Sequence, residues 1–401
     1  MNESSPTCPA EDELREVLEA GYLFELTWVI DDVETTAIVI HKPIERPSAQ
    51  PLDGPAVFRF STLGSAGAGF RVPITSIESI HPVDIGMLPQ AIIESAAESL
   101  VDVASTQPRR IPQDAVSSLA SNVSTMVSVR HVLTIADAVL EACDEIDPML
   151  IREVTGLFER GDLANRWDDP DIARPAARCL SWIAAEDPSA VFDVTPQIAI
   201  GAESEDLPTR RAAVYTLAQL THDYPEEVLP AIDRLLDAIS SGDANMQINA
   251  LSGLGRIVQS YPDVAEPVAD EVAILFDHED PTVEANAVGV FGDLSVAHPD
   301  LVMEYGSELL ARLEDEDKNI RRNASIALLR AGEADPSVFR AHPDILEEAL
   351  RDDVTEVRRN VCSVIGNARV EVSPEELARL AEEDPDQIVR DRANWALERT
   401  K

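Results

Sequence analysis

Seven histidines, four cysteines and one glycine-rich stretch are the residues of this chain best suited to catalysis or metal binding. A dinuclear iron centre needs about six hard or imidazole ligands facing one cleft. Only one histidine stands beside a glutamate, His278-Glu279, in the acidic turn "DHEDP". The others, His41, His81, His131, His222, His298 and His342, share no regular spacing. Cys8, Cys143, Cys179 and Cys362 form no CxxC pair, the pattern of reduced thiols and not of a zinc site or a disulfide framework. The stretch "LGSAGAG" at 63–69 lacks the Lys-Ser/Thr ending of a phosphate loop and opens no helix, so it reads as a hairpin loop. No catalytic, cofactor-binding or metal-binding residue is expected, and the chain reads as a non-enzyme.

The arginines carry more information. Acidic residues number 74 against 32 basic ones, a net charge of −42, and only Lys42, Lys318 and Lys401 are lysines. Arg174, Arg211, Arg322 and Arg359 occupy equivalent places, each two residues before a recurring small apolar residue. One position earlier stand Arg210, Arg321, Arg358 and Arg390. Rows of guanidinium groups suit bidentate recognition of carboxylates or phosphates. Arg174, Arg211, Arg322, Arg359, Arg321, Arg358 and Arg390 are therefore the candidates for partner binding. The alternative is pairing within the chain, with acids such as Asp315, Asp317, Asp352 and Asp353. Ile248 and Ala285 interrupt the first row in the middle repeats, which leaves an apolar gap.

The recurring residue is Ala176, Ala213, Ala250, Ala287, Ala324 and Val361, each 37 positions after the last. Ala136 precedes the series by 40 and Ala393 follows it by 32. Pro188, Pro225, Pro262, Pro299 and Pro336 repeat the interval of 37, and Pro374 misses it by one. Two markers at one period predict a solenoid. Within a unit, Leu301, Val302, Tyr305, Leu309, Leu310 and Leu313 trace a first helix, and Ile320, Ala324, Ala327, Leu328 and Ala331 a second. Acidic turns such as "EDEDK" put carboxylates near the start of the second helix, where the helix dipole favours them.

Helix pairs punctuated by "EDP…VRRNA…LG" resemble the HEAT-repeat family in its short-unit, PBS-lyase-like form. The resemblance implies an α-α superhelical solenoid, armadillo-like in kind, over 112–401. It has about eight helical pairs, the last a compressed capping repeat. It also implies that the second helices line the concave surface. HEAT arrays serve many tasks, so the fold implies little about activity. HEAT-like hydroxylases carry His-Glu pairs at repeat spacing, absent here, and no bilin-lyase motif is visible. A HEAT-like lyase or hydroxylase is disfavoured. Asn249, Asn286, Asn323 and Asn360 precede the anchor by one, about 85° from the centre of the buried stripe. They form a structural ladder, each side chain expected to satisfy backbone groups of the adjoining turn. The stacked tryptophans that accompany the peptide-binding ladder of armadillo arrays are missing, since Trp182 and Trp395 share no register.

Ahead of the array the pattern alternates. "YLFELTWVI", "TTAIVIHKP", "AVFRFST" and "GFRVPITSIESI" read as strands of a small antiparallel β domain, 1–82. A linker with one helix, 83–111, follows. The acidic, lysine-poor composition resembles the proteomes of salt-in halophiles, which suggests a haloarchaeal source. In molar salt the Debye length falls to about 3 Å, so −42 no longer argues against nucleic acid. The N-terminus shows no signal peptide and no apolar run is long enough to span a bilayer, so a cytoplasmic location without membrane insertion is expected. The expected function is a scaffold binding a protein partner on the concave face. The alternative is a nucleic-acid-associated array.

Overall fold

The computed structural model describes residues 23–30, 33–41, 57–62, 70–73, 77–82, 88, 90–159, 163 and 166–400. Cys8 and the 63–69 stretch lie outside them. The chain divides into two compact units, Met1–Thr209 and Arg210–Lys401.

The first unit opens with five strands, β1 (Leu23–Ile30), β2 (Val33–His41), β3 (Val57–Thr62), β4 (Phe70–Pro73) and β5 (Ile77–Pro82). They pair antiparallel in the order β4-β3-β2-β1-β5. Strands β1 and β2 run in continuous register from Leu23↔Ile40 to Ile30↔Val33. Strand β5 takes the other edge of β1, with a shift in register between Thr27 and Trp28. Each neighbour pair but β1–β5 is consecutive in sequence, as the alternation of short strands and turns favours.

Helices follow: α1 (Gln90–Thr106), α2 (Gln113–Asn122), α3 (Met126–Ala142), α4 (Pro148–Glu159), α5 (Pro170–Glu186) and α6 (Thr195–Gly201). Ile93, Ala96, Ala97, Leu100 and Ala104 of α1 are buried, and α1 lies against α3 as α3 lies against α5. Burying this apolar stripe favours the stack.

Helix α7 (Leu207–Leu220) starts at the boundary, and the second unit continues through α8 (Pro225–Val228), α9 (Ile232–Ile239), α10 (Ala244–Ser260), α11 (Ala265–Ala273) and α12 (Pro281–Leu294). Then come α13 (Pro299–Glu304), α14 (Gly306–Ala311), α15 (Lys318–Ala331), α16 (Ser337–Ala341), α17 (Pro343–Ala349), α18 (Thr355–Ala368), α19 (Pro374–Glu383) and α20 (Gln387–Arg399). The second helices α10, α12, α15, α18 and α20 are continuous and stack in that order.

The first helices are broken, which the periodicity did not anticipate. The one traced from Leu301 to Leu313 is α13, a kink at Tyr305, α14 and a 3-10 turn. Gly306 sits against Met303 and Val338, and a Cβ there would come within 2.8 Å of the methionine methyl. Elsewhere a second proline or a 3-10 turn divides the helix, as at Pro230 and Pro343. The apolar periodicity survives the breaks because each fragment keeps its apolar face: Val302, Met303, Leu309, Leu310 and Leu313 are all buried.

The acidic turns act as helix caps. Asp243, Asp280, Asp317 and Asp386 each accept a hydrogen bond from a backbone N–H in the first turn of a second helix. An aspartate cap satisfies an otherwise orphaned donor and complements the helix dipole.

Candidate binding face

Three of the arginines join successive turns. Arg174 on α5 grips Asp206 through Nε and Nη2, the shortest bond being 2.6 Å. Asp206 also accepts from the Thr209 amide at the start of α7. The Arg174 guanidinium, with the Thr209 bonds, holds the Asp206 carboxyl well below the usual carboxylate range. The next repeat copies the arrangement: Arg211 grips Asp243, which caps α10, and its carboxyl is lowered chiefly by that arginine. Arg321 of α15 uses a different geometry. Its Nη1 donates to the carbonyls of Asp315 and Glu316 in its own turn, and its Nε to Asp352 in the next, at 2.6 Å.

Arg358 repeats that geometry and is buried with its partner. It donates to Asp384 at 2.7 Å and to the Asp352 carbonyl at 2.8 Å. Arg390, in the last helix, closes back onto the carbonyls of Asp384 and Pro385 and onto Gln387. Among the sequence candidates, then, Arg174, Arg211, Arg321, Arg358 and Arg390 are engaged within the chain. The reason is placement: at the N-terminal end of a second helix, the nearest acceptors are the carbonyls of its own turn and the aspartates of the next.

Arg322 and Arg359 stand apart. Arg322 is exposed, and its guanidinium has no hydrogen bond or ion pair among the described residues. Arg359 is half-buried and reaches only the amide oxygen of Asn360, at 3.4 Å.

The asparagine ladder is real in register and irregular in bonding. Asn323 donates to the Ala285 carbonyl on α12 at 2.7 Å, over Gly289, where a Cβ would meet its Nδ2 at 3.3 Å. Asn360 donates to the Ser325 hydroxyl, Asn286 to Thr282 in its own helix, and Asn249 to no acceptor among the described residues. Where these bonds leave their own helix they tie helix to helix and not, as expected, helix to turn.

A second ladder escaped sequence reading. Arg330 of α15 donates to the Gly292 carbonyl at 2.8 Å, and Arg399 of α20 donates to the Gly366 carbonyl at 3.0 Å. Each arginine lies six residues after its own anchor, and each glycine five after the preceding anchor. Trp395 presses on Gly366 so closely that a Cβ there would collide with its ring. Asp293 takes the arginine's place on α12, with its Oδ2 2.7 Å from where a Cβ on Gly255 would be. Burial pushes the Asp293 carboxyl up, partly countered by a Gln259 hydrogen bond and the charges of Arg330 and Arg256. The signal available in the sequence was the glycine at anchor plus five.

Nothing among these groups makes a reactive constellation. His278 accepts a hydrogen bond from the Asp280 amide inside the turn. Burial pushes the Cys362 thiol up to about 12 and raises that of Cys179, so both are poor nucleophiles and ligands at neutral pH. The described residues contain no group of three His, Cys, Asp or Glu placed to hold a metal ion, and no helix long and apolar enough to cross a membrane.

Residues 306–398 match the family described as HEAT repeats. A crystal structure of an engineered protein is similar at a TM-score of 0.51 and 16% identity, covering 79% of this chain and 92% of that one. A computationally designed armadillo repeat protein for modular peptide recognition is similar at a TM-score of 0.45 and 19% identity, over 52% of this chain and all of its own. No curated protein matches the chain. The helical part of the protein is an α-helical repeat array similar in fold to that engineered protein, and the HEAT-repeat match covers its last helices.

Proposed function

We propose that the protein is a non-catalytic scaffold that binds a protein partner across the second helices of its repeat array. The observation that carries this reading is the state of Arg322 and Arg359. Among the described residues of this acid-rich chain, neither guanidinium pairs with a carboxylate. An exposed or half-exposed cation held on a continuous helix without an ion-pair partner is available to an external acceptor. The concave surface of a HEAT-like array is the face such helices would line. The antiparallel sheet, as a domain over 1–82, would be a second docking module joined through 83–111 to an array over 112–401. The acidity is read as adaptation to a salt-rich cytoplasm, consistent with a haloarchaeal, short-unit HEAT protein.

The second reading, a nucleic-acid-associated array, uses the same arginines against phosphates. Salt separates the two, because phosphate contacts lose affinity steeply by counterion release. The test is affinity capture of tagged protein from a high-KCl lysate, with and without nuclease, beside the R322E/R359E variant. A stoichiometric protein that survives nuclease and is lost with the variant is the expected result. Loss of everything on nuclease treatment transfers the case to nucleic acid. Capture of no partner under any condition counts against both.

A further inference from the structure

Four second helices of the second unit, α10, α12, α15 and α18, stack side by side. Four positions on each, at two and one before the anchor and two and six after it, fall within about 100° of one another on the helical wheel, from the shoulder of the buried stripe round to the side away from it; Ala285, Asn360 and Ser363 among them are buried. The strip so defined reads Ile248, Asn249, Ser252 and Arg256, then Ala285, Asn286, Gly289 and Asp293. It continues through Arg322, Asn323, Ile326 and Arg330, and ends in Arg359, Asn360, Ser363 and Asn367.

Its composition is the inverse of the rest of the chain. The strip holds four arginines and one acid, whereas the whole chain carries a net charge of −42. None of the four is spent on an intrachain ion pair among the described residues. Arg256 is exposed and feels Asp293 only through space, Arg330 bonds a backbone carbonyl, Arg359 a neutral amide, and Arg322 nothing. On the first-helix side four arginines, Arg234, Arg312, Arg351 and Arg379, pair with carboxylates, while Arg340 donates to the Ala368 carbonyl. The one acid in the strip, Asp293, is partly withdrawn onto Gly255, and its burial disfavours the charged form.

We infer that this strip is a docking surface for an extended acidic segment of a partner protein, an inference that rests on the scaffold reading above. Its carboxylates pair with Arg322 and Arg359 along one row and with Arg256 and Arg330 along the other. The spacing suits a peptide. Packed helices lie about 8–10 Å apart, and a polyproline-II chain rises about 3.1 Å per residue with three residues per turn, so carboxylates at every third residue share one face and meet successive helices. Half-exposed Ile248, within the first row, and Ile326, between the two rows, supply apolar contact, which persists when salt screens the charges. A nucleic acid duplex, with a charge about every 1.7 Å, would lay far more negative charge on this surface than four guanidinium groups answer, against a flanking chain that is itself acidic.

The test uses full-length protein and fluorescence anisotropy with three probes. They are a labelled peptide of roughly twelve residues bearing Asp or Glu at every third position, the same peptide with Lys in their place, and a single-stranded oligonucleotide of matching length. The acidic peptide is expected to bind, and the lysine peptide not to. Each double variant, R322Q/R359Q and R256Q/R330Q, is expected to weaken it about tenfold, with R351Q on the first-helix side unchanged. Ser252→Glu, which adds a negative charge to the strip and removes no arginine, is expected to weaken it as well, and covers the case of a variant that folds poorly. Failure of the acidic peptide to bind, indifference to all of these variants, or an oligonucleotide that binds as tightly would each overturn the inference. A partner captured from lysate that is lost with R322E/R359E but retained by R256Q/R330Q would also overturn it while leaving the scaffold reading intact.

Discussion

Replacing Arg358 by alanine should damage the end of the array far more than the same change at its neighbour Arg359. The Arg358 side chain is 10% exposed and that of Asp384 is 2% exposed, so the pair is governed by buried and not by surface energetics. Removal of the guanidinium deletes two bonds to Asp384 and two to the carbonyls of Asp352 and Asp353. Asp384 would keep only the Asp386 amide and its more distant charges. Breaking a buried pair from one side costs about 3–5 kcal/mol, because the remaining charge stays desolvated.

For a unit of this size each kcal/mol moves the melting temperature by about 2–4 °C, so a fall of roughly 10 °C in the melting of the second unit is expected. Repeat arrays need not unfold as one transition, so amide exchange should localise the loss to α18–α20. Removing both charges together, as R358A with D384A, should recover part of the loss, since no lone charge is then buried. The assay is thermal melting of the four members of that cycle, with R359A as comparison. An R358A melting point within about 1 °C of the parent, or a double variant worse than both singles combined, would refute the reasoning.

Three further outcomes follow from particular contacts. Gly366→Ala drives a methyl into Trp395 and should cost about 1–3 kcal/mol, read by melting and by a change in the fluorescence of the last helix. Asn323→Ala removes a helix-to-helix bond and should cost about 1 kcal/mol, whereas Asn249→Ala, which loses no bond, should melt with the parent. The lowered Asp206 and Asp243 carboxyls contribute stability that is present above the unfolded aspartate pKa of about 4 and is lost as pH falls through their lower folded values. Acid melting should therefore steepen below about pH 4, and R174Q and R211Q should flatten that dependence; an unchanged acid limb in both would tell against the bridges.

The interval of 37 was legible without coordinates because a stacked repeat must return the same small anchor to the same buried place. The place of the acidic turns at the start of the second helices was legible too, since a carboxylate there complements the helix dipole; that their aspartates also bond first-turn amides came only with the structure. What the sequence could not decide was which arginines are spent. Arg321 and Arg322 are adjacent and identical in type, yet one lies between two acidic turns and the other points to solvent. About 100° of helical rotation separates them, and only the placement of the next repeat's aspartates says on which side of that rotation an acceptor waits. Likewise Arg256 and Arg330 share a repeat position with an aspartate between them, a pattern that means little until the helices are stacked into one strip. Local periodicity fixes which face of each helix is buried; tertiary packing alone decides which charges on the remaining faces find each other.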